Sequence, residues 1–285
     1  MFPIVNYFRI CLQPDETGAY IFFSFVFSFC FYCKDIISFV ILYTSGLKSF
    51  LSVLKVKSML TVLYIKLAKE EKREEEINSA SLLGEDAFQK IVSMRNIKSR
   101  TTRFWGEVLR NYGLKIYWGM DIGTYTLIRG AHGKPYIKER KDVFFNISHS
   151  GEYVLCAFSD TSVGVDIEKK GKLRLTVARR FFHAEEIQQL ENTWGEEKQA
   201  ELFYRLWSVK ESFLKYTGEG LSASFSAFAV NFENAGLFLR KGKEKIEVKI
   251  SECKIDPCYV SYICSGSQEV PVIREVGLTE ILSCL

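Results

Sequence analysis

Three short stretches of this sequence hold side chains whose type and spacing could support chemistry. In Val163-Gly164-Val165-Asp166-Ile167-Glu168, two carboxylates stand two residues apart. On a strand, Asp166 and Glu168 point to one face and Val165 and Ile167 to the other. Such a pair can grip a hard cation, although alternation of this kind more often marks a solvated strand face. In Trp207-Ser208-Val209-Lys210-Glu211-Ser212-Phe213-Leu214-Lys215, helical spacing lines up Trp207, Glu211 and Lys215 on one stripe. Taken alone, Glu211 and Lys215 read as a helix-stabilising pair worth about 0.3–0.5 kcal/mol, with Trp207 as core filling. Asn146-Ile147-Ser148-His149-Ser150-Gly151 is predicted to be a loop presenting Ser148 and His149. A histidine between serines suits anion binding. A Ser–His hydrolase is a poorer match, because there is no G-x-S-x-G elbow and neighbours in an extended segment point apart.

Together these groups suit one chemistry better than any does singly. Three carboxylates, a lysine one helical turn from one of them, a histidine and a set of cations fit Mg²⁺-assisted transfer from a pyrophosphate. The cations are Lys90, Arg95, Lys98, Arg100 and Arg103, which recur through a predicted helical stretch, Glu85–Tyr112, ended by Gly113. They form either a solvated face or a wall for phosphates.

The elements that must position these groups are legible in outline. Leu60–Leu67, Val143–Ile147, Tyr153–Phe158 and Val163–Glu168 read as strands. Gly133-Lys134-Pro135-Tyr136 and Ser159-Asp160-Thr161-Ser162 read as turns. Thr176–Glu191 and Glu196–Tyr216 read as helices. Phe225–Ile263 is strand-rich, with a hairpin expected around Asn234-Ala235-Gly236. Lys69–Glu76 is a charge run, expected as a solvated helical face. Strands and helices of similar scale divide into halves at about 59–158 and 159–285.

The 285 residues suit one large domain or two modest ones. Lys and Arg number 38 against 34 Asp and Glu, an excess too small to suggest a nucleic-acid binder. It is compatible with an acidic protein partner or a phosphate-rich ligand. The eight cysteines are scattered rather than arranged as a disulfide framework, so free thiols in a reducing, cytoplasmic compartment are expected. Residues 1–58 do not match the rest. Ala19–Cys33 carries no charge, Lys34-Asp35 interrupts, and apolar sequence resumes to Leu47. Neither half reaches the roughly 18–20 apolar residues that span a bilayer, and a signal peptide is a poor match. A membrane-associated hairpin within 19–47, an extra helix, or an early start with Met59 as the working start are the readings. The last is the one expected.

At FNISHSG (145–151), GVDIEK (164–169), RRFFHAEE (179–186) and LWSVKESFLKYTGEGLS (206–222), the sequence resembles the 4′-phosphopantetheinyl transferases, in the monomeric type that serves peptide and polyketide synthetases. GKPYI (133–137) adds to the resemblance, which covers about 59–285 and not 1–58. It implies an α+β fold of two similar pseudo-symmetric α/β subdomains, with coenzyme A in the cleft between them. It implies Mg²⁺ on Asp166, Glu168 and Glu211, and Lys215 on the bridging or leaving phosphate. Ser148 and His149 would hold the nucleotide 3′-phosphate, and Gly133, Lys134 and Pro135 would line the adenine end. Arg100 and Arg103 are candidate phosphate cations. The family commonly has an arginine where Thr102 stands in TTRFWGEVL. Glu211 or Glu168 would be general base on a serine of an acyl or peptidyl carrier protein, and Glu186 would play a supporting part. The alternative expectation is a non-catalytic coenzyme A- or carrier-binding protein, which would not need all three carboxylates and Lys215.

Overall fold

A computed structural model describes residues 59–67, 82–220, 224–233 and 236–285, together with two short strands nearer the N-terminus. Those strands, β1 (Tyr7–Cys11) and β2 (Phe22–Val26), pair antiparallel in a unit of their own, Met1–Lys55. The remainder of 1–58, the 69–76 charge run and the Asn234-Ala235 turn lie outside the described residues.

From Met59 onward the order is β3 (Leu60–Lys66), α1 (Glu85–Val92), α2 (Ile97–Trp118), β4 (Leu127–Arg129), β5 (Pro135–Ile137), β6 (Phe144–Ser150), β7 (Tyr153–Ser159), β8 (Val163–Lys169), α3 (Leu175–Phe181), α4 (Ala184–Asn192), α5 (Glu196–Thr217), β9 (Ala229–Glu233), β10 (Gly236–Lys241), β11 (Glu244–Ile246), β12 (Lys249–Glu252), β13 (Tyr259–Ser265), β14 (Val272–Glu275) and α6 (Leu278–Cys284). This is a mixed α/β fold. One sheet runs β14-β3-β7-β6 and another β12-β13-β8. The near-continuous apolar runs of β3 and β7 are buried along their length, as strands covered on both faces should be. A 22-residue helix serves each sheet. Trp105, Val108 and Leu109 of α2 join the core that contains Val154 and Phe158, and Leu206, Val209 and Phe213 of α5 join the core that contains Tyr262 and Cys264.

Four expectations are corrected here. Gly113 does not end a helix. α2 passes through it, and the residue is glycine because the Phe158 ring lies where a side chain would begin, 2.1 Å from a Cβ placed there. Thr176–Glu191 is two helices, broken at Phe182-His183 where α4 is capped. Asn146–Ser150, expected in a loop, continues strand β6, and only Gly151 turns. Finally, the division at 158/159 fails for the last residues, because β14 returns to pair in parallel with β3 and Val276 and Ile281 join the core of the first half.

Among the described residues, no helix is long and apolar enough to cross a membrane. Cys156, Cys253, Cys258, Cys264 and Cys284 are free thiols.

Candidate active site

The two sheets meet at β6 and β8, and they meet through side chains. Asn146, Ser148 and Ser150 alternate along β6 and so share one face. Asn146 Oδ1 accepts the Val165 N–H at 2.9 Å, Ser148 Oγ the Ile167 N–H at 3.3 Å, and Ser150 Oγ the Lys169 N–H at 3.0 Å. A polar strand face therefore takes the place of a backbone partner for β8. On its other edge β8 is paired antiparallel with β13. The Asp166 carbonyl is held further by Ser208 Oγ of α5 at 3.4 Å and Ser261 Oγ of β13 at 2.6 Å.

Gly164 sets how closely α5 lies on β8. A Cβ there would stand 2.2 Å from Ser212 O and Tyr216 N, so only glycine lets the helix backbone touch the strand. That contact brings Lys215 to Asp166. Lys215 Nζ donates to Asp166 Oδ1 at 2.7 Å and to Ser148 Oγ at 2.9 Å, and Ser148 Oγ donates to the same Oδ1 at 3.1 Å. The sequence pairs Lys215 with Glu211 on its own helix; its hydrogen bonds instead go across to the strand and to β6. Trp207, further along the stripe, is core filling, stacked on Phe203 and against Phe225.

Asp166 is only 3% exposed, so β8 does not present a solvated face. Its Oδ2 is buried without a hydrogen bond. Burial raises the Glu168 carboxyl to about 7, with Asp166 and Glu211 pushing it up and Lys215 and Ser150 pulling it down. Ser150 Oγ donates to Glu168 Oε2 at 3.4 Å. Burial also raises the Glu211 carboxyl; Lys215 opposes this and Asp166 adds to it. One ammonium thus faces three carboxylates with a deficit of positive charge and one oxygen unserved. Among the described residues, no three Asp, Glu, His or Cys side chains stand together as a ready-made cation site.

The other predicted residues fall around this centre. Ser148 is buried, and its hydroxyl accepts two hydrogen bonds and donates one, which saturates it. In this arrangement it has no capacity left for a nucleotide phosphate. His149 takes the opposite face of β6, exposed and beside Ile147, which packs on Gly106 of α2. Although part of the side chain reaches solvent, the ring is desolvated enough against the protein to lower its imidazole below the ordinary value, and the Lys215 and Lys98 ammoniums push the same way. Lys98 is thus one α2 cation whose charge reaches His149. Arg103 instead pairs with Glu107 at 2.9 Å, and the Arg100 guanidinium reaches the Val92 carbonyl at 3.5 Å. Thr102 is buried and bonds back to the Lys98 and Ser99 carbonyls, so no cation occupies that place.

Gly133 sits in a turn at φ 84° and Pro135 opens β5. The Lys134 ammonium points inward. It donates to the carbonyls of Lys215 at 2.6 Å, Val163 at 3.0 Å and Tyr216 at 3.1 Å, and burial brings it down to about 8. It ties the turn to the last carbonyls of α5, where a cation is favoured by the helix dipole. Glu186 does not face the carboxylates. Fully buried, it pairs with Lys210 at 2.8 Å and accepts the His183 N–H that begins α4. Sequence reasoning missed Asn146, Ser150 and Lys134's inward role. The polar residues at alternate positions in N-x-S-x-S were the available signal for a strand face.

A model of the 4′-phosphopantetheinyl transferase superfamily matches residues 162–264, which include both strand carboxylates, Glu211 and Lys215. The chain is 34% identical over 179 residues to 4′-phosphopantetheinyl transferase Sfp of Bacillus subtilis, covering 62% of this chain and 80% of that protein. It is 33% identical over 180 residues to the transferase psf-1 of Bacillus pumilus, covering 63% and 75%. It is 29% identical over 226 residues to gsp of Aneurinibacillus migulanus, covering 78% and 92%. Among solved structures, Thermotoga maritima holo-[acyl-carrier-protein] synthase matches at 18% identity with a TM-score of 0.32, over 37% of this chain and 62% of that one, too distant a likeness to bear on the fold. With a charge-deficient carboxylate–lysine centre inside the matched segment, and four-fifths of a curated transferase covered at this identity, the chain belongs to the 4′-phosphopantetheinyl transferase family and is an enzyme of that family.

Proposed function

We propose that this enzyme transfers 4′-phosphopantetheine from coenzyme A to a serine of an acyl or peptidyl carrier protein, with Mg²⁺, releasing 3′,5′-ADP. The observation that carries this reading is the hydrogen bond of Lys215 to Asp166, beside the Glu168 and Glu211 carboxyls, which the same lysine pulls down without offsetting their rise. The residues suit a hard divalent cation. Their donors are carboxylate oxygens, one of them buried and unserved. Mg²⁺ sites commonly use one or two carboxylates, with phosphate oxygens and water as the remaining ligands, so a pre-gathered cage is not required. Asp166, Glu168 and Glu211 would hold the ion, which when bound offsets charge on the pyrophosphate.

The chain's own groups do the rest. The carrier serine Oγ bonds to the β-phosphorus while the bond from that phosphorus to the leaving 3′,5′-ADP oxygen breaks. The serine proton passes to a carboxylate, for which Glu168 and Glu211, both raised above ordinary acidity, are the candidates. Lys215 stabilises the charge on the departing phosphate. His149 with Lys98 would receive the nucleotide's phosphate end and the Gly133–Pro135 turn its adenine end; His149's position on the α2 side of β6 supports the first. The two halves, each a sheet with a 22-residue helix, support the reading of paired subdomains with coenzyme A between them. A monomer in the cytoplasm completes the proposal, supported by the free thiols and tested by gel filtration and cell fractionation.

The test of the chemistry is transfer of labelled coenzyme A to a panel of carrier proteins, with and without EDTA. Loss of transfer on chelation and its return with Mg²⁺ is expected; transfer indifferent to EDTA overturns the metal assignment.

A further inference from the structure

The two serines that join β6 to β8 repeat one arrangement. Ser148 Oγ accepts the N–H of Ile167 and donates to the carboxylate of Asp166. Ser150 Oγ accepts the N–H of Lys169 and donates to the carboxylate of Glu168. In each case the serine takes the N–H just after a carboxylate residue and gives its O–H to that residue's side chain. The hydroxyl's single hydrogen is therefore directed by the backbone, since the lone pair on the strand side is already taken. Asn146, one step earlier on the same face, accepts the Val165 N–H and fixes the register. A slip of one residue would turn the serines to the α2 side and leave both carboxylates without them.

We infer that Ser150 and Ser148 are positioning residues that aim the Glu168 and Asp166 carboxylates toward a shared cation, with Asn146 setting their register. This rests on the metal reading above. A carboxylate held through one oxygen by a fixed donor turns its remaining lone pairs in a defined direction. Buried Asp166 Oδ2, free of protein partners, is the oxygen so presented. Ser150 is the cleaner of the two to alter, because Ser148 also receives Lys215. The Lys169 N–H that loses its acceptor lies at an exposed residue, where water replaces the hydroxyl.

The experiment uses the full chain stripped with EDTA and then titrated with Mn²⁺ in the presence of coenzyme A, followed by electron paramagnetic resonance. Metal-free coenzyme A binding by calorimetry and thermal melting are recorded alongside. Ser150→Ala is expected to weaken Mn²⁺ binding by about tenfold, while Ser150→Thr, which keeps the hydroxyl, stays within about twofold of the unaltered chain. Metal-free coenzyme A affinity should not move in either variant. Undiminished Mn²⁺ binding by Ser150→Ala overturns the inference, as does a weakening matched by equal loss of metal-free coenzyme A binding, which would mark a merely structural role. An unaltered chain that binds no Mn²⁺ would instead bring down the metal reading itself.

Discussion

Two of the lysines on helix α5, Lys210 and Lys215, meet carboxylates in opposite ways. Lys210 is wholly buried, and its three donors are met by Glu186 and by the carbonyls of Phe225 and Phe228. Glu186 in turn accepts the N–H groups of Val230 and His183. One positive and one negative charge cancel, and the pair joins α4, α5 and the start of β9. Lys215 meets Asp166 on one side only; burial raises the proton affinity of Glu168, with Asp166 and Glu211 adding to it, and burial raises that of Glu211, with Asp166 adding to it. Both lysines occur within the same WSVKESFLK stretch. A closed circuit of charge builds the fold, whereas an open one has something left to bind. The distinction lies in the accounting of donors and acceptors, and solvent follows it: Lys210 and Glu186 are sealed off, whereas the Lys215 side chain keeps 26% of its surface exposed.

The comparison can be broken in three ways, in falling order of effect. Removing an open-site carboxylate, by Asp166→Ala or Glu211→Ala, should lower the transfer rate by several orders of magnitude, where each tenfold corresponds to about 1.4 kcal/mol of barrier. Urea unfolding should change far less. Near-normal transfer in either variant removes that residue from the site.

Removing one partner of the closed pair, by Glu186→Ala or Lys210→Ala, should instead cost about 3–5 kcal/mol of stability, because a buried charge is left alone. Replacing both by apolar residues of similar size, as in Glu186→Leu with Lys210→Met, should recover the charge part of that loss only, because the Val230 and His183 N–H groups and the Phe225 and Phe228 carbonyls still lose their partners. No such double replacement should rescue the open site. A stable Glu186→Ala protein in a urea titration would show that the pair is not closed in solution.

The smallest effect concerns pH. In metal-free protein the Glu168 carboxyl holds its proton up to about 7, against an ordinary 4.5. The folded state then binds more protons than the unfolded one between those values. Stability from this group is therefore highest below about 4.5 and falls as pH rises toward 7. Glu168→Gln should flatten that decline in melting temperature measured in EDTA. An unchanged slope would show that the carboxyl is not raised.

Much of this was readable beforehand. Continuous apolar runs announced β3 and β7, and the carboxylate spacing on β8 and α5 named the chemical groups of the centre. The rest depended on partners distant in the chain. Asn146, Ser148 and Ser150 look like a polar loop until the backbone of β8, nineteen residues on, is seen to need acceptors. Gly113 resembles a helix stop until the Phe158 ring is placed against it. The two helices in 175–192 part at His183, whose N–H is taken by Glu186, a capping arrangement with an uncommon residue at its head. Lys134 looks like a ligand contact because it lies in a turn, yet its long side chain reaches back to carbonyls that no local rule connects to it.

The return of β14 to β3 has a consequence for how the protein is made. Thr61 and Val272 are register partners across about two hundred residues of chain, so the edge of the first sheet stays open on the ribosome until the segment that carries β14 has emerged. Such long-range parallel pairing is slow to form. The Tyr112 and Arg274 side chains, which converge on Glu280 of α6, then act as the clasp that closes last. A nascent chain stalled just before β14 would carry Asp166, Glu168, Glu211 and Lys215 and still lack the strand that completes the first sheet.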